Sequence, residues 1–267
     1  MICEIFGKYV NFFNNGGQMS KVKLAIDWSN IKILVLDCDG VFIDNTEVEI
    51  NNLVKHAYNY VGRVPYKTLQ KNWGASMSHI WKVIQEVTGA NKVEMSLLKS
   101  KYREDVENYQ LNSNLFRIFE RLNSSSCTIG LITDRSHTDW YYLSQKLNFK
   151  TSIFTFVQTS TDYNYQKPDG QIFSPIVARA RWVGYKPEQI IYIGDTVDYD
   201  YAAIVNSRTS INFLGVASGA STYDDFRKSG LPPEHIISSF EDLPRFLVQS
   251  FQLNFEWAQP GKHRPQG

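Results

Sequence analysis

Short apolar runs rich in β-branched and aromatic residues recur along the chain, and more polar segments separate them. Runs of this length that are apolar throughout are typical of parallel strands buried on both faces of a sheet. We predict five strands of this kind and a weaker sixth, at residues 31–36, 127–132, 153–157, 190–193, 211–216 and 235–238. Apolar residues with helical spacing at 115–122 and 176–183 predict helices between them. This alternation predicts an α/β fold with a parallel sheet between two helical layers.

The stretch 45–112 breaks the alternation, because its apolar residues keep helical spacing throughout. Three apolar stripes follow one another at residues 50–61, 77–84 and 98–106, and no strand-like run separates them. We predict an inserted helical bundle here, and the alternative is a plain helical region of one continuous domain. The insertion starts just after a charged strand end, where parallel sheets bind ligands. This position favours an α-helical cap over that end of the sheet.

The predicted organisation has four parts. They are an N-terminal extension (1–18), an α/β core (19–44 and 113–250), a helical cap (45–112) and a C-terminal tail (251–267). The extension lacks the continuous apolar centre of a secretory signal and is interpreted as a segment outside the fold, with an aromatic arm packed on the core as the alternative. The Pro- and Gly-containing tail is predicted to be frayed.

Charge and cysteine content narrow the choice of partners. Lys and Arg (28) nearly balance Asp and Glu (27), which excludes a global basic field for nucleic acid or anionic membranes. The sequence has no apolar run near the roughly 20 residues that span a bilayer. The three cysteines lack metal-ligand spacing, and their odd number suits a reduced cytosol. We expect a cytoplasmic protein with neither a nucleic-acid nor a membrane partner; the oligomeric state is not indicated.

Two carboxylates follow the first predicted strand, in the segment Asp37-Cys38-Asp39-Gly40. Carboxylates at positions i and i+2 can converge through the turn after a strand, and their repulsion favours a nearby cation. Oxygen ligands suit a hard metal such as Mg²⁺. A bare Asp-x-Asp pair also occurs in solvated turns, which is the alternative interpretation.

Three further polar positions follow later apolar runs. Thr133 ends the second run and could bind phosphoryl oxygens or cap a helix. Lys167 precedes a proline and could neutralise a phosphoryl group or lie in a surface loop. Asp195 follows the fourth run, with Asp198 and Asp200 close behind. This acidic group could share a cation with the first pair or belong to an acidic N-terminal helical turn.

Taken in order, these segments resemble the four motifs of the haloacid dehalogenase superfamily. The matching residues are Asp37-Cys38-Asp39-Gly40, Thr133, Lys167-Pro168 and Gly194-Asp195. The resemblance extends from residue 31 to about residue 247 and implies a Rossmann-like parallel sheet core. The helical insertion is similar to that of the branch with phosphoglycolate phosphatase and β-phosphoglucomutase.

The resemblance also implies roles for these residues. Asp37 would attack phosphorus and form an aspartyl-phosphate, and Asp39 would protonate the leaving oxygen and then activate water. Thr133 and Lys167 would hold the phosphoryl oxygens. The cofactor would be Mg²⁺, held by Asp37, Asp195 and the backbone carbonyl of Asp39.

Two positions depart from the family pattern. Val41 stands where phosphatases of this branch often have Thr, which removes a hydroxyl but leaves the nucleophile intact. The second acid of the fourth motif often follows four residues after the first, where this chain has Tyr199. Because the family tolerates a spacing of five, we favour Asp200 over Asp198 as the further metal residue, with contact through a water as one possibility.

Substrate contacts are predicted on both sides of the site. Gly40 and Asp134 adjoin the catalytic residues, and Trp73, Gly74 and Ser76 lie between the first two predicted cap helices. The sequence therefore favours a Mg²⁺-dependent phosphatase that hydrolyses a small phosphorylated metabolite, a phosphate monoester. The alternatives are a phosphomutase, a metal-independent 2-haloacid dehalogenase, and a non-catalytic binding protein with this fold. Asp39 argues against the dehalogenase, which needs no protonating partner at that position.

Overall fold

The structure, a computed structural model, describes residues 4–6, 9–13, 19–23, 26–217 and 220–257, with the backbone alone for the first three segments. The strands of this part are β1 Glu4–Phe6, β2 Tyr9–Phe13, β3 Met19–Lys23, β4 Ile33–Leu36, β5 Ile43–Asp44, β6 Gln110–Leu111, β7 Thr128–Ile132, β8 Phe156–Gln158, β9 Ile190–Gly194, β10 Asn212–Val216 and β11 Ile236–Ile237. The helices are α1 Thr46–Tyr60, α2 Tyr66–Asn72, α3 Met77–Thr88, α4 Lys92–Lys101, α5 Ser113–Ser124, α6 His137–Lys146, α7 Ser174–Trp182, α8 Ala202–Ser207, α9 Tyr223–Lys228 and α10 Leu243–Ser250. Among the described residues, every helix is too short or too polar to cross a membrane.

The central sheet has six strands in the order β11-β10-β9-β4-β7-β8. Every neighbouring pair is parallel, so helical connections carry the chain from one strand to the next. The strand β4 lies between β9 and β7, so its carboxyl end is flanked by the ends of both. The predicted α/β fold is confirmed, and each of the six predicted runs contributes a strand to this sheet.

The third predicted strand begins later than its apolar run. The prediction was 153–157, whereas Thr151–Ile153 forms a 3₁₀ turn and the strand β8 starts at Phe156. The Ile153 carbonyl accepts a hydrogen bond from the Asn123 side chain (3.0 Å) instead of a ladder bond. Phe154 is buried in the core and thereby accounts for the apolar character of a segment that is not a strand.

The side chains of β4 alternate between two apolar layers, one on each face of the sheet. Leu34 and Leu36 belong to a cluster with residues of α5 and α10, whereas Ile33 and Val35 join a cluster with residues of α7, α8 and α9. The exposed fraction of these four side chains is 2% or less. This burial on both faces explains why the strand is apolar throughout and does not alternate with polar residues.

The helices α1 to α4 form a separate small bundle with its own apolar core. The fully or nearly buried members of this core are Ile50, Leu53, Ala57, Val64, Leu69, Ile80, Ile84 and Leu98. The predicted stripe at 98–106 is not one helix, because α4 ends at Lys101 and a 3₁₀ turn follows at Val106–Asn108. Tyr102 has an extended backbone where the helix stops, and its hydroxyl donates to Glu49 on α1.

The two connections between core and bundle run side by side. The strands β5 and β6 pair in antiparallel orientation, with Ile43 opposite Leu111 and Asp44 opposite Gln110. These pairs lie at the two ends of the predicted cap 45–112. The connections therefore form a short two-stranded link between core and bundle. This link places the bundle close to the charged end of β4.

Described residues at both ends of the chain form structure that the sequence pattern did not indicate. The strands β1, β2 and β3 form an antiparallel sheet that joins the predicted extension 1–18 to residues 19–23, and the rest of 1–18 lies outside the described residues. The tail predicted at 251–267 is not frayed at its start. Phe251 packs edge to face on Trp28 at 5.3 Å between ring centroids, and residues 258–267 lie outside the described part.

An aromatic cluster supports the turn after β4. Phe42 is fully buried, and its ring meets those of Phe116, Phe149 and Phe154 edge to face at centroid distances of 5.3, 5.2 and 5.1 Å. Such pairs contribute stabilisation beyond the apolar area that they bury. Phe42 lies two residues after Gly40 and its N–H donates to the Cys38 carbonyl at 2.9 Å, so this cluster also holds the Asp37–Gly40 segment in place.

We therefore expect Phe42→Ala to lower the free energy of unfolding by about 3–5 kcal/mol, since the cavity left behind has rigid aromatic walls. The control is Tyr141→Ala on α6, where the side chain is 62% exposed and the expected change is within about 0.5 kcal/mol. Urea titration followed by circular dichroism measures both. Equal losses in the two variants would contradict the structural role of Phe42.

Candidate active site

Asp37 is the first residue after β4, and the turn that follows holds its carboxylate in the protein interior. Its side chain lies at the carboxyl edge of the sheet and is 5% exposed, and its Oδ1 accepts the Cys38 N–H at 2.7 Å. Gly40 closes the turn with φ +75°, and a Cβ at this position would overlap the Asp195 carboxylate. The turn thus needs glycine both for its backbone conformation and for the approach of Asp195.

Lys167 is the buried cation of the site. Its Nζ lies 2.8 Å from Asp37 Oδ2 and 2.9 Å from Asp200 Oδ1, and the residue is 6% exposed. Burial disfavours the ammonium, but Asp200 and Asp37 raise the pKa of Lys167, so it stays protonated. The alternative of a surface-loop lysine is therefore excluded by its position.

Asp200 is fully buried and accepts several hydrogen bonds. Oδ1 takes the Tyr192 hydroxyl at 2.7 Å in addition to Lys167, and Oδ2 takes the Thr196 hydroxyl at 2.6 Å and the Thr196 N–H at 3.0 Å. Both oxygens are thus already engaged. The carboxylate orients Lys167 and the turn after β9, and it has little capacity left for a direct metal bond.

The five-residue spacing between Asp195 and Asp200 has a structural explanation. Val197–Tyr201 forms one π-helical turn, and the last residue of this turn donates to the Thr196 carbonyl at 3.0 Å. A π turn accommodates one residue more than an α turn, so an acid at the fifth position can point back at the strand end. Asp198 is exposed, and Asp200 is the acid that reaches the site.

Three buried carboxylates converge at this edge. One oxygen each of Asp37, Asp195 and Asp200 lies within 4.8 Å of the others. Burial raises the pKa of Asp195, and repulsion from Asp200 and Asp37 raises it further. Burial, which Lys167 opposes, likewise raises the pKa of Asp37. The single ammonium of Lys167 cannot fully offset the repulsion among three carboxylates. Their hard oxygen donors fit a divalent cation held by Asp37 and Asp195.

Asp39 is held by a cation that the sequence did not point to. The Arg135 guanidinium donates to both Asp39 oxygens, through Nε at 2.8 Å and Nη2 at 2.8 Å, and Asn45 donates to the same carboxylate. Burial opposes ionisation, but the charge and hydrogen bonds of Arg135 lower the pKa of Asp39. The remaining Arg135 nitrogen, Nη1, donates to Glu104 at 2.8 and 3.0 Å.

Thr133 is buried at the end of β7 and does not cap a helix. Its N–H donates to the Gln158 carbonyl at 2.9 Å, and its Oγ1 accepts the Arg135 N–H at 3.1 Å. Ser136 is instead the N-cap of α6 and accepts the Asp139 N–H at 3.1 Å. The Thr133 hydroxyl is thus fixed in place with its proton available as a donor.

A cavity of about 250 Å³ lies between these residues and the helical cap. Its core side includes Asp37, Asp39, Thr133, Asp134, Lys167 and Asp195. The predicted cap residues Trp73, Gly74 and Ser76 also line it. A Cβ on Gly74 would lie 2.7 Å from Thr196 Cγ2, so the cap loop rests directly on the core. Gly40 and Asp200 lie beside the cavity residues and do not line it.

Sequence reasoning missed several residues that line the cavity. Arg135 and Glu104 are the most consequential, because together they connect Asp39 with the segment that returns from the cap. The position of Arg135 two residues after Thr133 was an available signal. Glu104 gave none, since 31 residues separate it from Arg135. Tyr192 was an available signal for Asp200, because a tyrosine inside a buried strand needs a partner for its hydroxyl, and here that partner is Asp200 Oδ1.

Known proteins share both sequence and fold with this chain. A zebrafish (Danio rerio) protein, haloacid dehalogenase-like hydrolase domain-containing protein 3, is 34% identical over 96 residues. This match spans 35% of the present chain and only about a third (36%) of the length of that relative.

Solved structures match a larger share of the chain. A predicted phosphoglycolate phosphatase from Haemophilus somnus has a TM-score of 0.64 at 16% identity and covers 81% of this chain and 97% of its own. A β-phosphoglucomutase from Clostridium difficile has 0.60 at 17%, covering 83% and 97%. A HAD family hydrolase from Deinococcus radiodurans with bound phosphate and sodium has 0.65 at 10%, covering 84% and 98%. At these identities the similarity shows the shared fold, a Rossmann-like core with a helical cap.

The sequence model of one family, haloacid dehalogenase-like hydrolase, matches residues 34–216. This range is more than half of the chain and contains the four motif segments, the cap and the strands β4 to β10. The resemblance noted from the motifs is thereby confirmed, and the chain belongs to the haloacid dehalogenase-like hydrolase family.

Proposed function

We propose that this hydrolase is a Mg²⁺-dependent phosphatase that cleaves a small phosphate monoester through an aspartyl-phosphate on Asp37. The observation that carries the proposal is the buried Asp37 carboxylate, which lines a cavity beside Lys167 and the acid Asp195. One protein of similar fold is named as a predicted phosphoglycolate phosphatase, which is consistent with this reaction.

In the first step, an Asp37 oxygen attacks phosphorus while the bond from phosphorus to the alcohol oxygen breaks. The Cys38 N–H and Lys167 Nζ hold the two Asp37 oxygens and fix the carboxylate for in-line attack. The hydroxyl of Thr133 and the ammonium of Lys167 stabilise the phosphoryl oxygens. Asp37 and Asp195 would hold Mg²⁺, which would supply positive charge to offset the charge of these oxygens.

Asp39 moves the proton in both steps. Arg135 keeps it ionised in the free protein, and a phosphate dianion placed beside it raises its pKa by like-charge repulsion. The protonated acid then protonates the departing alcohol oxygen. In the second step the Asp39 carboxylate takes a proton from water, whose oxygen attacks phosphorus and breaks the bond to Asp37. The products are the alcohol and inorganic phosphate.

The experiment that tests the proposal measures phosphate release from p-nitrophenyl phosphate with Mg²⁺. Asp37→Asn should reduce turnover to near background, because the amide cannot form the acyl phosphate. Asp198→Asn removes a nearby exposed carboxylate and is the matched control, with activity within about twofold of wild type. Full activity of Asp37→Asn, or in excess chelator, would refute the mechanism, and phosphate transfer to a sugar with little release would indicate a mutase.

A second prediction separates the two steps. Asp39→Asn keeps the nucleophile but removes the proton carrier, so we expect a loss of about 10²–10⁴-fold with alkyl phosphates. Because p-nitrophenolate leaves without protonation, the first step should continue with p-nitrophenyl phosphate while hydrolysis stalls. Intact-mass analysis should then detect one added phosphoryl group, which should be absent from the Asp37→Asn/Asp39→Asn double variant. Turnover of alkyl phosphates at the wild-type rate would contradict the role of Asp39.

A third prediction concerns Arg135, whose side chain is 12% exposed and bridges two carboxylates. Arg135→Met should lower the free energy of unfolding by about 3 kcal/mol, because it leaves Asp39 and Glu104 without their common cation. Lys82→Met is the control, since Lys82 is 71% exposed in its pair with Glu86, and the expected change is below about 1 kcal/mol. Chemical denaturation measures both, and equal small losses would show that the bridge contributes little.

A further inference from the structure

The two sides of the cavity differ in chemistry. The core side carries the phosphoryl-binding groups described above, whereas the cap side presents the apolar side chains of Trp73, Met77 and Ile80. The polar cap residues of this lining are Ser76, Tyr102 and the two acids Glu49 and Glu104, and none of them is a cation. The leaving group of a substrate whose phosphate lies at Asp37 would therefore face three apolar side chains and no cationic cap residue.

The cations of this lining already pair with carboxylates of the protein. Among the described residues that line the cavity, the cationic side chains are Lys167 and Arg135. Lys167 lies between Asp37 and Asp200. All three nitrogens of the Arg135 guanidinium donate to Asp39 or Glu104. Neither cation is available for a second anionic group on the substrate.

Acidic residues complete the far side of the cavity. Glu49 is 2% exposed, and its oxygens accept the Asp105 N–H at 2.7 Å and the Tyr102 hydroxyl. Glu104 adds a second carboxylate to the same lining. A buried anion is costly unless a cation or several donors compensate it. Arg135 already compensates Glu104 and two donors compensate Glu49, so a second negative charge on the substrate would be buried here without an uncommitted cation to pair with.

From this lining, and on the basis of the phosphatase activity proposed above, we infer that the substrate is the monophosphate of a compact, uncharged alcohol. The apolar cap wall contacts the alcohol, and the wall excludes esters that carry a carboxylate or a second phosphate. The cavity volume of about 250 Å³ is slightly below the range typical of small-molecule sites, about 300–1,000 Å³, and limits the size of the alcohol.

The inference separates this chain from enzymes of the same fold. Phosphoglycolate carries a carboxylate next to its phosphate ester, and the similar structure from Haemophilus somnus bears that name as a predicted activity. A phosphomutase that returns its phosphoryl group to a sugar phosphate must accommodate two phosphates at once. Each of these ligands needs an uncommitted cation on the cap side, and the described lining has none.

The test compares matched esters with Mg²⁺ and wild-type protein. Glycerol 3-phosphate and 3-phosphoglycerate share one skeleton and differ in a carboxylate, and fructose 6-phosphate and fructose 1,6-bisphosphate differ in a second phosphate. We measure kcat/KM from phosphate release at the first turnover. In each pair we expect the ester whose phosphate is its one anionic group, glycerol 3-phosphate or fructose 6-phosphate, to have a kcat/KM at least about tenfold higher. p-Nitrophenyl phosphate provides the reference activity in the same preparation.

A charge added to the cap wall tests the cause of this preference. Met77→Lys places an ammonium of similar length at a position that lines the cavity, and it should raise kcat/KM for 3-phosphoglycerate relative to glycerol 3-phosphate by about tenfold. Val87→Lys adds the same charge to the same helix at a side chain that is 44% exposed and outside the cavity lining. This control should leave the ratio unchanged.

The outcomes distinguish the two proposals. Activity on p-nitrophenyl phosphate with equal or better use of the anionic ester of each pair would overturn the substrate class alone. An unchanged ratio in folded, active Met77→Lys would overturn the role assigned to the cap wall. Absence of phosphate release from every ester would overturn the phosphatase and the substrate class together. The wild-type ratios decide the substrate class even if Met77→Lys does not fold.

Discussion

The arrangement of this molecule depends on three buried carboxylates around one buried ammonium. Lys167 is bound between Asp37 and Asp200, and Asp195 lies beside them, where burial and repulsion from Asp200 and Asp37 raise its pKa although Lys167 opposes this. Such a cluster is tolerable only where the surrounding backbone fixes every group, because partial compensation of buried charge is costly. The π turn after β9 and the Tyr192 hydroxyl meet this need for Asp200. The same imbalance provides the attraction for a cation.

The cap and the core share the site between them, and each contributes a different part of the chemistry. The core provides the groups that we propose bind and transfer a phosphoryl group, all at the carboxyl edge of the parallel sheet. The cap provides an apolar wall, which rests on the core through Gly74. Arg135 connects the two parts, since it holds Asp39 with one side of its guanidinium and Glu104 with the other. The proposed acid–base group is thus tied to the segment that leaves the cap.

Local sequence pattern was sufficient for most of the fold because burial on both faces makes a parallel strand apolar throughout. Each of the six predicted runs contributes a strand to the sheet, and the segment 45–112 is mainly helical as expected. The pattern failed where apolar residues are buried without regular structure. Phe154 packs in the core ahead of β8, and Phe251 packs on Trp28 in a segment that looked like a tail. An apolar pattern indicates which side chains are buried. It does not indicate whether the backbone of that segment is a strand, a turn or a loop.

The sequence by itself determined the catalytic candidates, because their positions after successive strands bring them to one edge of any parallel sheet. Asp37, Thr133, Lys167 and Asp195 follow from that rule. Only the tertiary structure showed that Asp200, and not Asp198, turns inward, since the choice depends on one π turn. Only the tertiary structure brought Glu104 to Arg135 and turned Met77 and Ile80 toward the cavity. Contacts between residues far apart in the chain depend on how the cap docks, and no local pattern encodes that docking.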